Sequence, residues 1–558
     1  MELPALAAAV VAVLVLGYRF YGRYVASQFS LDDATVTPAH RKADGVDFVP
    51  TRPFYLFGQH FSAIAAAGPI VGPILACQQF GWLPCILWIA IGVVFIGAVH
   101  DVSTLVASVR HDARSVAEVV KVHLGRRAWL AILAFIWVAL IYVIVAFVDI
   151  TASTFVTGDA DAKGLTFRFN QGGAVALAAI LYLGLALVMG VVDRLLKPPL
   201  WLETAIFVPA TLFVVWFGTQ HSTWITLDWR TWTVVLLSYC AVASVTPMWL
   251  LMQPRGYLGG FVLYGALAVG VIGIFFGGYA IEQPAWTHRS LVGVGGVFPF
   301  LFVTIACGAC SGFHGLVCSG TTSKQIDRES HCHPIAYGAM LLEAFVALIA
   351  LATIMIVARA DTDGQSPGAI YARGLGRFIT ILIGDSPEHR MVATTFGAMA
   401  LSTFIFDTLD SATRLGRYVV QELLGTRSRL SAVLATLVTC ALPLGFLDHP
   451  GAFKQFWTLF GTSNQLLASL SLLAISVWLY RAGKRPWFTV VPMVLVMAVT
   501  VTSLAILVDD LFVASVGSSG WINGLVAAVL LGLTALLVVA ALRVVRQGPP
   551  LPSARVTT

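Results

Sequence analysis

Charge is what this chain has least of. Its 558 residues include 34 Lys and Arg and 28 Asp and Glu, 11% together, where globular domains carry about a quarter. Long polar stretches are missing too. These shortages exclude a soluble protein, and the mean hydropathy of +0.85 agrees. The net charge of +6 is not gathered on a basic face, which excludes a nucleic-acid partner. No Cys-x-x-Cys-His and no paired bis-histidine spans occur, which speaks against a membrane redox enzyme with haem. No stretch between apolar runs is long enough for a cytoplasmic output domain, so a nutrient-sensing receptor would have to act through a partner.

Apolar runs fill what remains. About 20 apolar residues cross a bilayer as a helix, and on that measure the chain is expected to be an all-α integral membrane protein. Fifteen transmembrane spans are expected: 3–25, 55–78, 82–108, 127–157, 172–192, 199–218, 231–251, 257–281, 294–320, 334–358, 389–412, 429–447, 452–481, 486–509 and 520–545. With the N-terminus outside, the loops assigned to the cytoplasm take most of the Lys and Arg, as the positive-inside rule requires. The start, MELPALAAAVVAVLVLGYRFYGRY, has its basic residues after the apolar stretch. A secretory signal has them before it, so an uncleaved first span is expected, with the C-terminus in the cytoplasm. The longest loops are 26–54, with Asp32, Asp33, Asp44 and Asp47, and 359–388, which contains Gly and Pro.

Two spans are unlike the others. "YLFGQHFSAIAAAGPIVGPILA" (55–76) carries Gly68-Pro69 and Gly72-Pro73 in mid-span, and "IACGACSGFHGLVCSGTTSKQI" (305–326) fills with Gly, Cys, Ser, Thr and His. Helix-breaking residues at membrane depth free backbone groups that lipid cannot satisfy, so they are tolerated where they line a cavity. Close packing of small residues is the plainer explanation for one such span. Two of them, in separate halves, point to a transporter built from inverted repeats with broken first helices. Spans 2–6 and 9–13 form the two five-helix units, and the odd number of spans between their starts gives them opposite orientation. The expected organisation is 1–54, a first helix and cytoplasmic loop; 55–218, the first repeat; 219–293, two inserted helices; 294–481, the second repeat; and 482–558, two further helices and a short tail.

Six acidic residues fall within spans: Asp101, Asp149, Glu203, Glu343, Asp407 and Asp410. A carboxylate in a bilayer span is a functional candidate by default. No Lys or Arg lies deep enough to pair easily with them. Asp101, Glu203 and Glu343 lie within a few turns of the cytoplasmic ends, where snorkelling or loop contacts explain them as readily as function does. Asp407 and Asp410 lie three apart on one helix face, beside Thr408 and Ser411, and Asp149 occupies the third helix of the other repeat. The alternative for that pair is a contact network with the RLGR loop beyond.

Cys307, Cys310, Cys318 and Cys332, with His314, His331 and His333, crowd into 27 residues. The Cys-x2-Cys spacing resembles a metal site, and thiolates suit zinc or an iron–sulfur cluster. Cys307, Cys310, Cys318, Cys332, His331 and His333 are therefore candidate ligands, against unligated thiols as the plainer reading; zinc-finger spacings are not matched.

"GQHFSAIAAAGPIVGPILA", "IACGACSGFHGLVCSGTTSKQ", "DTLDSATRLGRYVVQE" and "FWTLFGTSNQLLA", in this order, resemble the signature stretches of the carbon starvation protein A family. The resemblance runs from about residue 45 to 480. It implies a multi-pass transporter of the bacterial inner membrane, associated with uptake of peptides or, in some members, pyruvate. It also implies the amino acid–polyamine–organocation fold of two inverted five-helix repeats. The Cys310, Cys318, Cys332 and His331–His333 group goes beyond the family pattern, so a metal there would belong to a subset. Gln59, His60, Ser62, Gly68, Ser311, Gly312, His314, Asn464 and Gln465 are the expected substrate contacts, with half-helix N-termini facing a carboxylate. Proton coupling would use Asp407 or Asp410, with His314 and with Asp149 as a further candidate; sodium coupling would use Thr408 and Ser411. The oligomeric state is left open, and membrane lipid is the only other partner expected.

Overall fold

The computed structural model describes residues 2–548 apart from 45–47, 66, 157–168, 288–294, 427 and 517; Asp47 and the C-terminal tail lie outside the described residues. Among the described residues eleven helices are long and apolar enough to cross a membrane. In chain order the elements used below are α1 (Leu3–Phe29), α2 (Pro53–Ile64), α3 (Gly68–Phe80), α4 (Trp82–Arg110), α5 (Arg126–Phe155), α6 (Gln171–Leu196), α7 (Leu200–Gln220), α8 (Trp229–Val245) and α9 (Met252–Phe276). They continue with α10 (Val297–Thr304), α11 (Gly312–Gly320), α12 (Glu329–Met355), α13 (Pro367–Ile383), α14 (Pro387–Leu424), α15 (Arg429–Gly445), α16 (Phe453–Arg481), α17 (Trp487–Val513) and α18 (Ser519–Arg546).

Of the fifteen expected spans, two of them broken, eleven are long apolar helices among the described residues. Two of the segments are interrupted, and α8 and α15 are short. Segment 359–388, expected to be a loop, contains α13. Ser366 caps it, its hydroxyl accepting from Ala369 N at 3.2 Å; Pro367 opens it and Gly384 (φ +92°) ends it. Arg373 and Arg377 make it too polar for a span, yet Ile370, Tyr371, Leu375 and Phe378 are buried on one face. The RLGR stretch is not a loop either, because α14 continues through it to Leu424. Arg414 there donates to Ala243 O (2.9 Å) and Thr246 O (2.7 Å), satisfying carbonyls at the end of α8.

Both Gly-rich segments are interrupted as the residues require. After α2 the backbone leaves helical geometry at Ala65 (φ −73°, ψ 53°) and restarts at Gly68-Pro69, where a proline in the first turn forfeits no helical bond. The pair is bent by 44°. Between α10 and α11, Ile305 (φ −97°, ψ 67°) ends one helix and extended Ser311 (φ −131°, ψ 126°) begins the other. The two interruptions face each other: a Cβ on Gly68 would lie 2.4 Å from Cys307 Sγ, and one on Gly72 would lie 2.7 Å from Thr304 O. Each half-helix packs on the opposite half of its counterpart, α2 beside α11 and α3 beside α10, so the segments run antiparallel.

One end of the bundle is clamped. Arg110 at the end of α4 holds Glu329 at the start of α12 by two bonds (Nε–Oε1 3.0 Å, Nη2–Oε2 2.8 Å). The 26–44 segment folds over this pair: Asp32 N donates to Glu329 (3.1 Å), Thr37 Oγ1 to Ile326 O (2.6 Å), and Asp33 takes both the amide and the hydroxyl of Ser330. Those bonds hold the exposed Asp33 carboxyl below its ordinary range. A carboxyl lowered in this way adds to the clamp above its ordinary value, and the contribution is lost as pH falls through the lowered one.

Gly68→Ala is expected to destabilise the bundle by about 1–3 kcal/mol, read as a lower melting temperature in detergent. Adding Cys307→Gly is expected to recover part of that loss. An unchanged melt for Gly68→Ala would mean that the two interruptions do not touch.

Candidate functional site

An interrupted helix has backbone groups to satisfy, and here aromatic and amide side chains do it. Gln465 Nε2 donates to Phe302 O (2.9 Å), Trp457 Nε1 to Thr304 O (3.2 Å) and Trp88 Nε1 to Ile305 O (3.1 Å). At the start of α11 the Asn464 Oδ1 accepts from Phe313 N at 3.0 Å, and its Nδ2 donates to Ser311 Oγ (3.1 Å) and Cys307 Sγ (3.2 Å). The predicted contacts Ser311, Gly312, Asn464 and Gln465 thus converge on the second interruption, where α16 presses so closely that a Cβ on Gly461 would fall 1.9 Å from Val303 O.

Beside this knot lies a buried chain of four titratable groups. Asp101 of α4 accepts from two imidazoles, His100 Nδ1 (2.7 Å to Oδ1) and His314 Nδ1 (2.9 Å to Oδ2). The other nitrogen of His314 lies 3.2 Å from Glu343 Oε2 of α12, within ion-pair distance but outside hydrogen-bond geometry. Asp101, His100, His314 and Glu343 are at most 1% exposed. Donor and acceptor counting restricts the protons. With Asp101 ionised and accepting from both rings at Nδ1, His314 Nε2 and Glu343 Oε2 are left facing each other across 3.2 Å. His60 stands nearby, its Nδ1 2.8 Å from Thr322 Oγ1, and His60 Nε2, His100 Nε2 and Glu343 Oε1 are buried without hydrogen-bond partners among the described residues.

Asp101 and Glu343 are the residues that span-end reasoning passed over. Their depth was countable: Asp101 precedes the end of α4 by nine residues, about 13 Å along the axis. Snorkelling serves long Lys and Arg chains, not a short carboxylate. Glu203, by contrast, does lie in the first turn of its helix.

Asp407 and Asp410 meet a cation after all, and this corrects the expectation that no Lys or Arg lies deep enough. Arg255 is 1% exposed; its Nε lies 2.9 Å from Asp407 Oδ1 and its Nη1 2.5 Å from Asp410 Oδ2. Tyr239 Oη accepts from Arg255 (2.7 Å) and donates to Asp410 (3.0 Å). The sequence places Arg255 in a loop because hydropathy rises only after it. Pro254 is tolerated in a first turn, so α9 begins earlier and carries Arg255 inward. One guanidinium between two carboxylates leaves one negative charge in excess when both are ionised, and Asp410 Oδ1 is buried without a hydrogen-bond partner among the described residues. Thr408 is bonded within its own helix to Phe404 O, and Ser411 is half-buried.

Other expected site residues lie elsewhere. Gln59 is exposed on α2 and Ser62 half-buried, so Gln59 does not share the surroundings of buried His60. Asp149 takes Phe453 N (2.7 Å), Gly451 N (3.3 Å) and Trp229 Nε1 (2.8 Å). It caps α16 with a carboxylate at a helix N-terminus. The candidate metal ligands Cys307, Cys310, Cys318, Cys332, His331 and His333 are not brought together. Among the described residues no three His, Cys, Asp or Glu side chains converge on a common point. Cys307 is bonded to Asn464, Cys318 to Asp101 O (3.6 Å), and His333 stacks on Tyr18 at 4.8 Å between ring centroids. Their proximity in sequence is spread along a half-helix, a turn and a second helix.

The fold and site define a multi-pass helical membrane protein with interrupted helices meeting beside buried titratable groups. The chain belongs to the carbon starvation protein CstA family, whose profile matches residues 4–363 and 356–503. It is similar to the peptide transporter CstA of Campylobacter jejuni, at 33% identity over 89% of this chain and 79% of that one. It is also similar to the pyruvate/proton symporter BtsT of Escherichia coli, at 30% identity over 89% and 80%. A manganese transporter from Eremococcus coleocola covers 90% of this chain and 99% of its own at 14% identity, with a TM-score of 0.46, too low to bear on the fold.

Arg255→Met is expected to cost about 3–5 kcal/mol by leaving two buried carboxylates uncompensated. The triple variant Arg255→Met, Asp407→Asn, Asp410→Asn is expected to melt closer to the parent in detergent. A single variant as stable as the parent would contradict the ion pairing.

Proposed function

We propose that the chain is a proton-coupled secondary transporter that imports small peptides, or a small carboxylate such as pyruvate, by alternating access. The observation that carries this reading is the meeting of two antiparallel interrupted helices beside the His100–Asp101–His314–Glu343 chain. The names of the relatives support it, since both are transporters and one is a proton symporter.

The helices are read as two inverted five-helix repeats, α2–α7 and α10–α16 without α13. Reciprocal packing supports this: α12 lies along α2 and α3, and α4 packs on α11. The third helices, α5 and α14, pack on each other, and each also meets the fifth helix of the other repeat, α16 and α7. The eleven long helices, the two interrupted pairs, α8 and α15 account for the fifteen crossings of the sequence reading. The clamped end is read as cytoplasmic and the N-terminus as periplasmic, in a bacterial inner membrane, a reading the basic bias of the loops supports.

In this state Asn464 occupies the Phe313 N–H. Substrate carboxylate takes that donor in its place, with Ser311 beside it. His314 occupies the first turn of the same half-helix, so movement of α11 alters its contact with Glu343. The proton held between His314 Nε2 and Glu343 Oε2 is thereby tied to the position of the substrate-binding segment. A proton that leaves only with the moving segment is what coupling requires.

Proteoliposomes answer this directly. An imposed proton gradient is expected to accumulate pyruvate or a labelled dipeptide, and a protonophore to abolish accumulation. Glu343→Gln is expected to retain substrate exchange while losing accumulation. Equal uptake with no gradient, or uptake driven by sodium alone, would overturn proton coupling.

A further inference from the structure

At the end of the bundle opposite the clamp lies a cavity of about 240 Å³. Its walls come from both repeats. Gln78 extends from the end of α3, Thr304 is the last residue of α10, Lys454, Trp457 and Thr458 begin α16, and Asp363 to Gln365 form the turn before α13. Burial orders these residues by depth. Thr304 and Trp457 are 4% exposed, whereas the Asp363 side chain is 66% exposed and Lys454 is also exposed. The cavity therefore has a charged rim and an uncharged floor. Its floor is the point where α10 stops and the second interruption begins, with the Thr304 carbonyl fixed by Trp457 Nε1. A molecule that fills it rests against the backbone break from the side away from the clamp.

The rim chemistry is selective. Lys454 makes no side-chain hydrogen bond or ion pair among the described residues, although it stands at the mouth of a cavity. Among the described residues the Asp363 side chain has only Arg359, at 3.8 Å and four residues away on the exposed surface, a contact of little strength. Gln78 spends one of its two amide N–H groups on Thr362 O (2.8 Å), leaving the other as a donor and its carbonyl oxygen as an acceptor. One cation and one carboxylate at the same mouth do not suit a dianion. They suit a ligand with one carboxylate and gain further from one that also carries an ammonium. A like charge near Asp363 is repelled, which is how such a site discriminates as well as binds.

We propose that this cavity is the outer docking site of the carrier, where Lys454 takes the substrate carboxylate and Asp363 decides between ligands that carry a free ammonium and ligands that do not. The proposal rests on the carrier reading above and assigns residues outside the proton-bearing chain.

Initial uptake rates in proteoliposomes test it, with dialanine, N-acetyl-dialanine and pyruvate as substrates. Lys454→Gln is expected to raise KM about three- to fivefold for every substrate the parent moves, with kcat kept, and Lys454→Arg to restore it. Asp363→Asn is expected to raise KM for dialanine and lower it for N-acetyl-dialanine or pyruvate. The two variants acting in opposite senses on one anionic substrate is a result that general destabilisation does not produce. KM values unchanged in Lys454→Gln for all transported substrates would overturn the docking site while leaving the carrier intact. A loss of kcat with constant KM would likewise overturn it. A parent that moves none of the three under any ion gradient would overturn the carrier reading, and this site with it.

Discussion

A main chain interrupted at membrane depth must find its hydrogen bonds inside the protein, and much of this structure is arranged around that requirement. Seven residues between α10 and α11 leave the helix, and Trp88, Trp457, Asn464 and Gln465 supply partners for what is freed. Three of the four come from α16, which is why that helix is almost wholly buried and why Gly461 has no room for a side chain. In the carrier proposed above these bonds are what a substrate has to replace, because Asn464 both caps α11 and occupies the Phe313 N–H.

Charge in the bundle is compensated in three ways. Asp149 is satisfied entirely by fixed donors, two backbone amides and an indole among them. Asp407 and Asp410 share a buried guanidinium that cannot lose its proton, which ties the inserted helices α8 and α9 to α14. Asp101 and Glu343 face imidazoles instead of a Lys or Arg, groups whose charge depends on a proton, and His314 sits on an interrupted helix.

The two ends of the bundle also differ. At one end Arg110, Glu329 and the 26–44 segment tie the end of α4 to the start of α12 and to the turn that follows α11. At the other, α3, α10 and α16 leave a cavity that reaches the break. On the carrier reading proposed above, that difference corresponds to one half of an alternating cycle, and the clamp contacts are those the opposite half exchanges.

The family, the helical class and the positions of both interruptions were legible from residues 58–76 and 305–325, because Gly and Pro act on the backbone of their own segment. Hydropathy likewise located the long helices, since lipid exposure is a property of a run rather than of a contact. The same local reasoning misplaced Arg255, missed α13 in an amphipathic stretch, and gathered four cysteines and two histidines that are not gathered in space. Asp101, Glu343 and His314 are separated by up to 242 positions of chain and become one chain of protons only where α4, α11 and α12 cross. Sequence determined which backbone would break and which residues were costly to bury; tertiary packing decided what each buried charge was paired with, because pairing depends on distances between helices that no local pattern encodes.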